Sequence, residues 1–153
     1  MNTPVLYIEV HTDGACLGNP GPGGWACIVR TRGESDEDIQ VGGAASTTNN
    51  RMELTAVLEA LKSLPDGAMV QLSADSEYVL KGLSEWMDGW KRRGWRTASN
   101  KPVKNIDLWR ELDVQRSRMT IECEWVEGHA GHHDNERCDQ LARAEAMRFQ
   151  QEN

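Results

Sequence analysis

Apolar and polar residues alternate at the start of the chain. Leu6, Ile8 and Val10 fall on one side and Tyr7, Glu9 and His11 on the other, the period of a strand with two unlike faces. This run stops at Asp13-Gly14, and a loop rich in Gly, Asn and Pro follows. A second strand is predicted at 25–32, an acidic turn at 33–38 and a weaker third strand near 39–45. No helical period separates these runs, so they read as an antiparallel meander. The period then changes. Leu54, Val57, Leu58 and Leu61 form one stripe over 49–64, a helix that Pro65-Asp66-Gly67 ends. A strand at Met69–Ala74, a helix at 76–87, a helix at Ile106–Arg116, a strand at Thr120–Trp125 and a last helix at 135–149 complete the pattern, with 150–153 fraying. Strands alternating with helices imply parallel pairing through right-handed crossovers. The predicted class is α/β: a five-stranded mixed sheet, meander first and parallel crossover strands after, flanked by helices.

The chain has 153 residues, which predicts one domain over 1–153 with a core that needs no staples. No run is long and apolar enough to span a membrane. The four Cys show no Cys-x-x-Cys spacing and the start shows no export signal, so reduced thiols and a cytoplasmic location are expected. A net charge of −7 argues at first against a polyanionic partner. The distribution reverses that argument. Between Gly89 and Ile106 stand Lys91, Arg92, Arg93, Arg96, Lys101 and Lys104, with no acid among them. An acidic body carrying one basic segment implies a local footprint for a phosphate backbone.

Four carboxylates are the candidate chemistry. Asp13 ends the first predicted strand and Asp75 directly follows the fourth. If those strands are parallel neighbours, both acids stand at the carboxyl edge of the sheet, where α/β sites form. The bland alternatives are a turn pair for Asp13 and a helix cap for Asp75. Glu53 lies in the first turn of the first long helix, where Asn50-x-x-Glu53 reads as a capping box, yet it flanks the apolar stripe. Asp139 sits inside the last helix, and for a lone Asp the ordinary reading is a solvated acid. Convergent carboxylates suit hard divalent cations. Two such ions ~3.5–4 Å apart clamp the attacking and leaving oxygens of a phosphoryl displacement.

The segments TDGACLGNPGPGGW, TTNNRMEL, ADSEYV, WKRRGW followed by KPVKN, and WVEGHAGHHDNERCDQLA resemble bacterial type 1 ribonuclease H. They occur in that family's order across essentially the whole chain. The resemblance implies a single ribonuclease H catalytic domain. Its activity would be Mg²⁺-dependent cleavage of the RNA strand of RNA–DNA hybrids, leaving 5′-phosphate and 3′-hydroxyl ends. It implies Asp13, Glu53, Asp75 and Asp139 as metal ligands for two ions, with Mn²⁺ a possible substitute. It implies His129, ten residues before Asp139, as the loop histidine that moves protons or assists product release. His132 and His133 read as surface residues.

Trp86, Trp90 and Trp95 interleave with the basic cluster, a combination that grips a sugar-phosphate backbone without reading bases. Some of these rings are expected to pack the protrusion, while Trp86, Trp95, Lys91, Arg92 and Arg93 contribute to substrate binding. The resemblance places Asn19, Asn49 and Glu77 on the minor groove, where 2′-hydroxyls mark RNA. It places Thr48 and Asn105 on a DNA phosphate. Two residues depart from the family pattern: Ser46 stands where Arg is expected in the phosphate grip, and Glu77 where Gln is common. An ionised carboxylate donates no hydrogen bond, so the Glu77 contact differs in kind. The expected partner is an RNA–DNA hybrid bound by a monomer, with no membrane and no stable protein partner. The competing readings are an inactive hybrid-binding module and another polynucleotidyl transferase of the same fold, such as a resolvase or integrase-like nuclease.

Overall fold

The computed structural model describes residues 5–127 and 132–151. Five strands form one sheet in the order β3-β2-β1-β4-β5. They are β1 (Tyr7–Cys16), β2 (Gly21–Thr31), β3 (Glu37–Thr47), β4 (Met69–Ala74) and β5 (Thr120–Trp125). The first three pair antiparallel, β4 pairs parallel with β1, and β5 pairs parallel with β4. The mixed sheet and its meander are therefore as the alternation predicts.

The bounds differ where ladder bonds override local composition. β1 runs past Asp13 to Cys16 because β2 continues to pair with it, Asp13 opposite Ala26. β2 begins within the Gly-Pro segment, and β3 extends at both ends against it. Asp13 is thus not the end of a strand. It lies just beyond the last β1–β4 pair, His11 with Ser73, where one neighbour leaves off and the other goes on.

Helix α1 (Asn49–Lys62) presents Leu54, Val57, Leu58 and Leu61, all buried, to β1 and β2. Each such side chain contributes roughly 1.5–3 kcal/mol of burial. Its other side packs on α4 (Ile106–Arg116). Helix α5 (His133–Gln151) crosses β1, β2 and β3. β2 serves both helices by alternation: Cys27 and Val29 join the core shared with α1, and Ala26 and Ile28 pack with Cys138 and Ala142 of α5. Gly24 allows this, since a Cβ there would collide with the α5 backbone at Ala142 and Ala146.

The predicted helix 76–87 is longer than its pattern. α2 (Glu77–Lys81) passes through a π-helical turn, Gly82–Trp86, into α3 (Met87–Arg92). The basic segment therefore starts on a helix, at Lys91 and Arg92. Trp90 and Trp109 meet edge to face at 5.1 Å and belong to the core. Trp86 is 38% exposed at its border.

Candidate active site

Gly14 brings the first acids together. A Cβ at this position would stand 2.5 Å from the backbone nitrogen of Glu53 and 2.6 Å from the carbonyl carbon of Met52. Only glycine lets α1 begin this close to β1. Asp13 and Glu53 are consequently both buried, 4% exposed each. Asp75 follows β4, and one carboxylate oxygen from each of Asp13, Glu53 and Asp75 lies within 4.8 Å of the others.

Neither helix cap uses these acids. Thr48 caps α1, its hydroxyl oxygen accepting the Arg51 N–H at 3.2 Å. The capping-box reading of Glu53 is therefore corrected: capping starts one residue before the helix, and Glu53 turns inward. Ser76 caps α2 by accepting the Val79 N–H at 3.3 Å, which leaves the Asp75 carboxylate free of that duty.

Electrostatics follow from the crowding. Burial, then the charge of Asp75, pushes the Asp13 carboxyl up to about 8, although the Gly14 N–H donates to it at 2.9 Å. Burial, then the charges of Asp13 and Asp75, hold Glu53 well above the usual carboxylate range. Glu53 Oε2 is buried without a hydrogen-bond partner. Like charges gathered out of water are costly unless something neutralises them. Hard oxygen donors with one orphaned buried atom fit Mg²⁺ or Mn²⁺. Oxygens sharing one Mg²⁺ at ~2.1 Å lie ~3–4 Å apart, so this set closes on an ion through small side-chain movements.

Asp139 stands outside that trio. It lies on α5, its Oδ1 accepting from Arg143 Nε at 3.1 Å, yet it is near enough for its charge to raise Asp13 further. His129 lies outside the described residues.

Four of the expected substrate residues share one groove. Asn19, Thr48, Asn49 and Asn105 line a polar cleft of about 630 Å³ with Asn50 and Lys104. Asn19 Oδ1 accepts the Asn49 N–H at 3.3 Å. Asn105, at φ 59°, starts α4 and is held from two sides. Arg51 donates to its Oδ1 at 3.2 Å, and its Nδ2 donates to the Tyr78 hydroxyl at 3.2 Å. Sequence reading missed Lys104 as a lining residue of this groove, and Arg51 and Tyr78 as the partners that hold Asn105 in it. Arg51 also grips Asp107 with two nitrogens, and Tyr78 also accepts from Trp109 Nε1 at 3.1 Å. Only the basic run around Lys104 offered a signal.

The remaining candidates are spread along α2, α3 and the loop after it. Glu77 is exposed and pairs with Lys81 at 4.0 Å. Lys91 pairs with Asp113 at 3.1 Å, Arg93 Nε donates to the Arg96 carbonyl, and Arg92 is exposed at the end of α3. Trp95 is half-buried under the Arg110 guanidinium, 5.6 Å from the ring centre.

The RNase H family profile matches residues 6–147, and the chain belongs to the ribonuclease H family. It is an enzyme of the hydrolase class. It is 56% identical over 140 residues to the ribonuclease H of Enterobacter sp. (strain 638), covering 92% of this chain and 89% of that one. It is 55% identical over 140 residues to the ribonuclease H of Escherichia coli O139:H28 (strain E24377A / ETEC), with the same coverage. Among solved structures it is similar to LC9-RNase H1, a type 1 RNase H with the type 2 active-site motif. That match has a TM-score of 0.82 and 33% identity, over 97% of this chain and 76% of that chain. The fold is also that of LC11-RNase H1, solved in complex with RNA/DNA hybrid. There the TM-score is 0.64 and identity 20%, over 92% of this chain and 97% of that chain. Among the described residues no helix is long and apolar enough to cross a membrane.

Proposed function

We propose that this chain is an endonuclease that hydrolyses the RNA strand of RNA–DNA hybrids and leaves 5′-phosphate and 3′-hydroxyl ends. The observation that carries this reading is the convergence of Asp13, Glu53 and Asp75 on one point. These three hold the divalent cations, with Asp139 a fourth ligand reached from α5. When bound, a pair of Mg²⁺ ions supplies the acidity that makes water a nucleophile and steadies the departing 3′ oxygen.

The chain's own residues do the rest. The groove of Asn19, Thr48, Asn49 and Asn105 holds the hybrid by neutral donors and acceptors: Asn19 and Asn49 meet the minor groove, and Thr48 and Asn105 meet a DNA phosphate. Thr48 still has its hydroxyl hydrogen to donate, because its oxygen accepts from Arg51. Glu77 offers only acceptors there. Trp86, Trp95, Lys91, Arg92 and Arg93 support the DNA strand through packing and charge. His129 transfers a proton or aids product departure. The protein works as a monomer on nucleic acid, in the cytoplasm, as one catalytic domain.

Labelled RNA–DNA hybrid, duplex RNA, duplex DNA and branched DNA, each with Mg²⁺ or chelator, test this. Cleavage of the hybrid alone, only with Mg²⁺, is expected. Hybrid binding without cleavage would favour the inactive module, and cleavage of duplex or branched DNA would favour a resolvase-like nuclease.

A further inference from the structure

Asn135, in the first turn of α5, is 8% exposed and bonded to β1, which carries Asp13, and to β4, which Asp75 follows. Its Nδ2 donates to the Ser73 carbonyl of β4 at 3.1 Å. A carbonyl only accepts, so the amide orientation is set, and Oδ1 faces His11 of β1. The His11 Nδ1–H then donates to Oδ1 at 2.8 Å. His11 and Ser73 are register partners, the last pair of the parallel ladder. Asp13 and Asp75 each lie two residues further on. Beyond this pair no ladder bond between β1 and β4 fixes how far apart the two acids stand.

The N-terminal part of α5 is itself anchored. Arg30 of β2 donates to Asp134 at 3.1 and 3.0 Å. Arg137 donates to Glu37 of β3 at 3.0 and 2.7 Å. The Cys138 thiol donates to the His11 carbonyl at 3.3 Å. Asn135 therefore reaches β1 and β4 from a rigid base.

We propose that Asn135 is a positioning residue: a clamp across His11 and Ser73 that sets the spacing of Asp13 and Asp75, and through it the affinity for the divalent cation. This rests on the reading that those acids hold metal. Groups that orient metal ligands carry ~10–100-fold in affinity, and a clamp at the fork of two strands acts in the same way.

The test measures Mg²⁺ binding by calorimetry and Mn²⁺ binding by water-proton relaxation, without substrate, in the whole protein. Asn135→Ala is expected to weaken both ions by ~10–100-fold. Its turnover should fall at low Mg²⁺ and recover as Mg²⁺ is raised, with KM for the hybrid unchanged. Leu112→Val, a core change on α4, which carries no residue of the clamp, is expected to lower Tm without changing ion affinity. His11→Phe keeps the ring's bulk and drops one arm of the clamp, so it should weaken binding less, and it carries the test should Asn135→Ala not fold. Wild-type affinity in folded Asn135→Ala or, failing that variant, in His11→Phe overturns the clamp. So does an equal loss in Leu112→Val. Wild-type protein that binds neither ion overturns the metal reading itself, and the clamp falls with it.

Discussion

Glu53 and Asp13 bring carboxylate oxygens within 4.8 Å of each other while both side chains are almost wholly out of water. Backbone approach at Gly14 brings the pair together, and near neutral pH buried Asp13 must keep a proton that the unfolded chain releases, so a permanently neutral side chain should relieve the fold. Asp13→Asn is expected to raise Tm by about 5 °C in chelator near neutral pH, since ~1–2 kcal/mol moves a domain of this size by that order. The same variant should lose Mg²⁺-induced stabilisation and nearly all turnover. A lower Tm in chelator, or strong Mg²⁺-dependent activity, would contradict the assignment.

The same crowding sets a pH dependence. Asp13 holds its proton more tightly folded than unfolded, about 8 against 3.8. Between those values the native state binds more protons than the unfolded one, so stability falls as pH rises. The contribution is complete below 3.8 and gone above about 8. Denaturant melts of metal-free protein across this window should show the decline, and Asp13→Asn should flatten it. A parallel decline in both proteins would place its origin elsewhere.

Gly14→Ala puts a methyl group against the start of α1. Overpacking of this kind costs ~1–3 kcal/mol, and relief requires α1 to retreat with Glu53. Lower Tm and weaker Mg²⁺ binding are expected together, read by melting and calorimetry. Unchanged ion affinity would mean that the approach of α1 is not what assembles the site.

Lys91, Arg92 and Arg93 differ in their ties. Lys91 is engaged by Asp113 and Arg93 by the Arg96 carbonyl, while Arg92 is exposed at the end of α3. Replacing all three by Ala should raise KM and flatten the log-log salt slope by roughly one unit per lost phosphate contact. Arg92→Ala should account for more of that change than Lys91→Ala, whose lysine must leave Asp113 first. Hybrid binding measured over a salt series decides, and an unaltered slope would show the cluster to be idle.

His129→Ala should slow turnover more than it weakens hybrid binding. Single-turnover rates compared with equilibrium binding separate the two effects. The opposite pattern would make His129 a contact for the substrate.

The mixed sheet was legible because period and breakers agree. β4, α4 and β5 have the bounds that spacing predicts. β1 and β2 extend further because a partner strand supplies ladder pairing that composition cannot display, even at Gly23 opposite Cys16 and Gly21 opposite Thr47. Asp13 and Asp75 could be placed from parallel neighbours alone. Glu53 could not, since an acid in a first helical turn looks the same whether it complements the dipole or is driven inward. The duties of Arg51, Tyr78 and Asn135 depend on partners 27 to 124 residues away, and no local pattern announces them.

β1 is the middle strand of the sheet, and it also bears Asp13. A slip of a single position would offer Thr12 or Gly14 in its place and turn every side chain to the opposite face. Insertions or deletions between Tyr7 and Asp13 are therefore barred twice over, by the core and by the reaction. Length changes that survive drift should gather in the connecting hairpins, such as the Gly33 turn, where neither constraint applies.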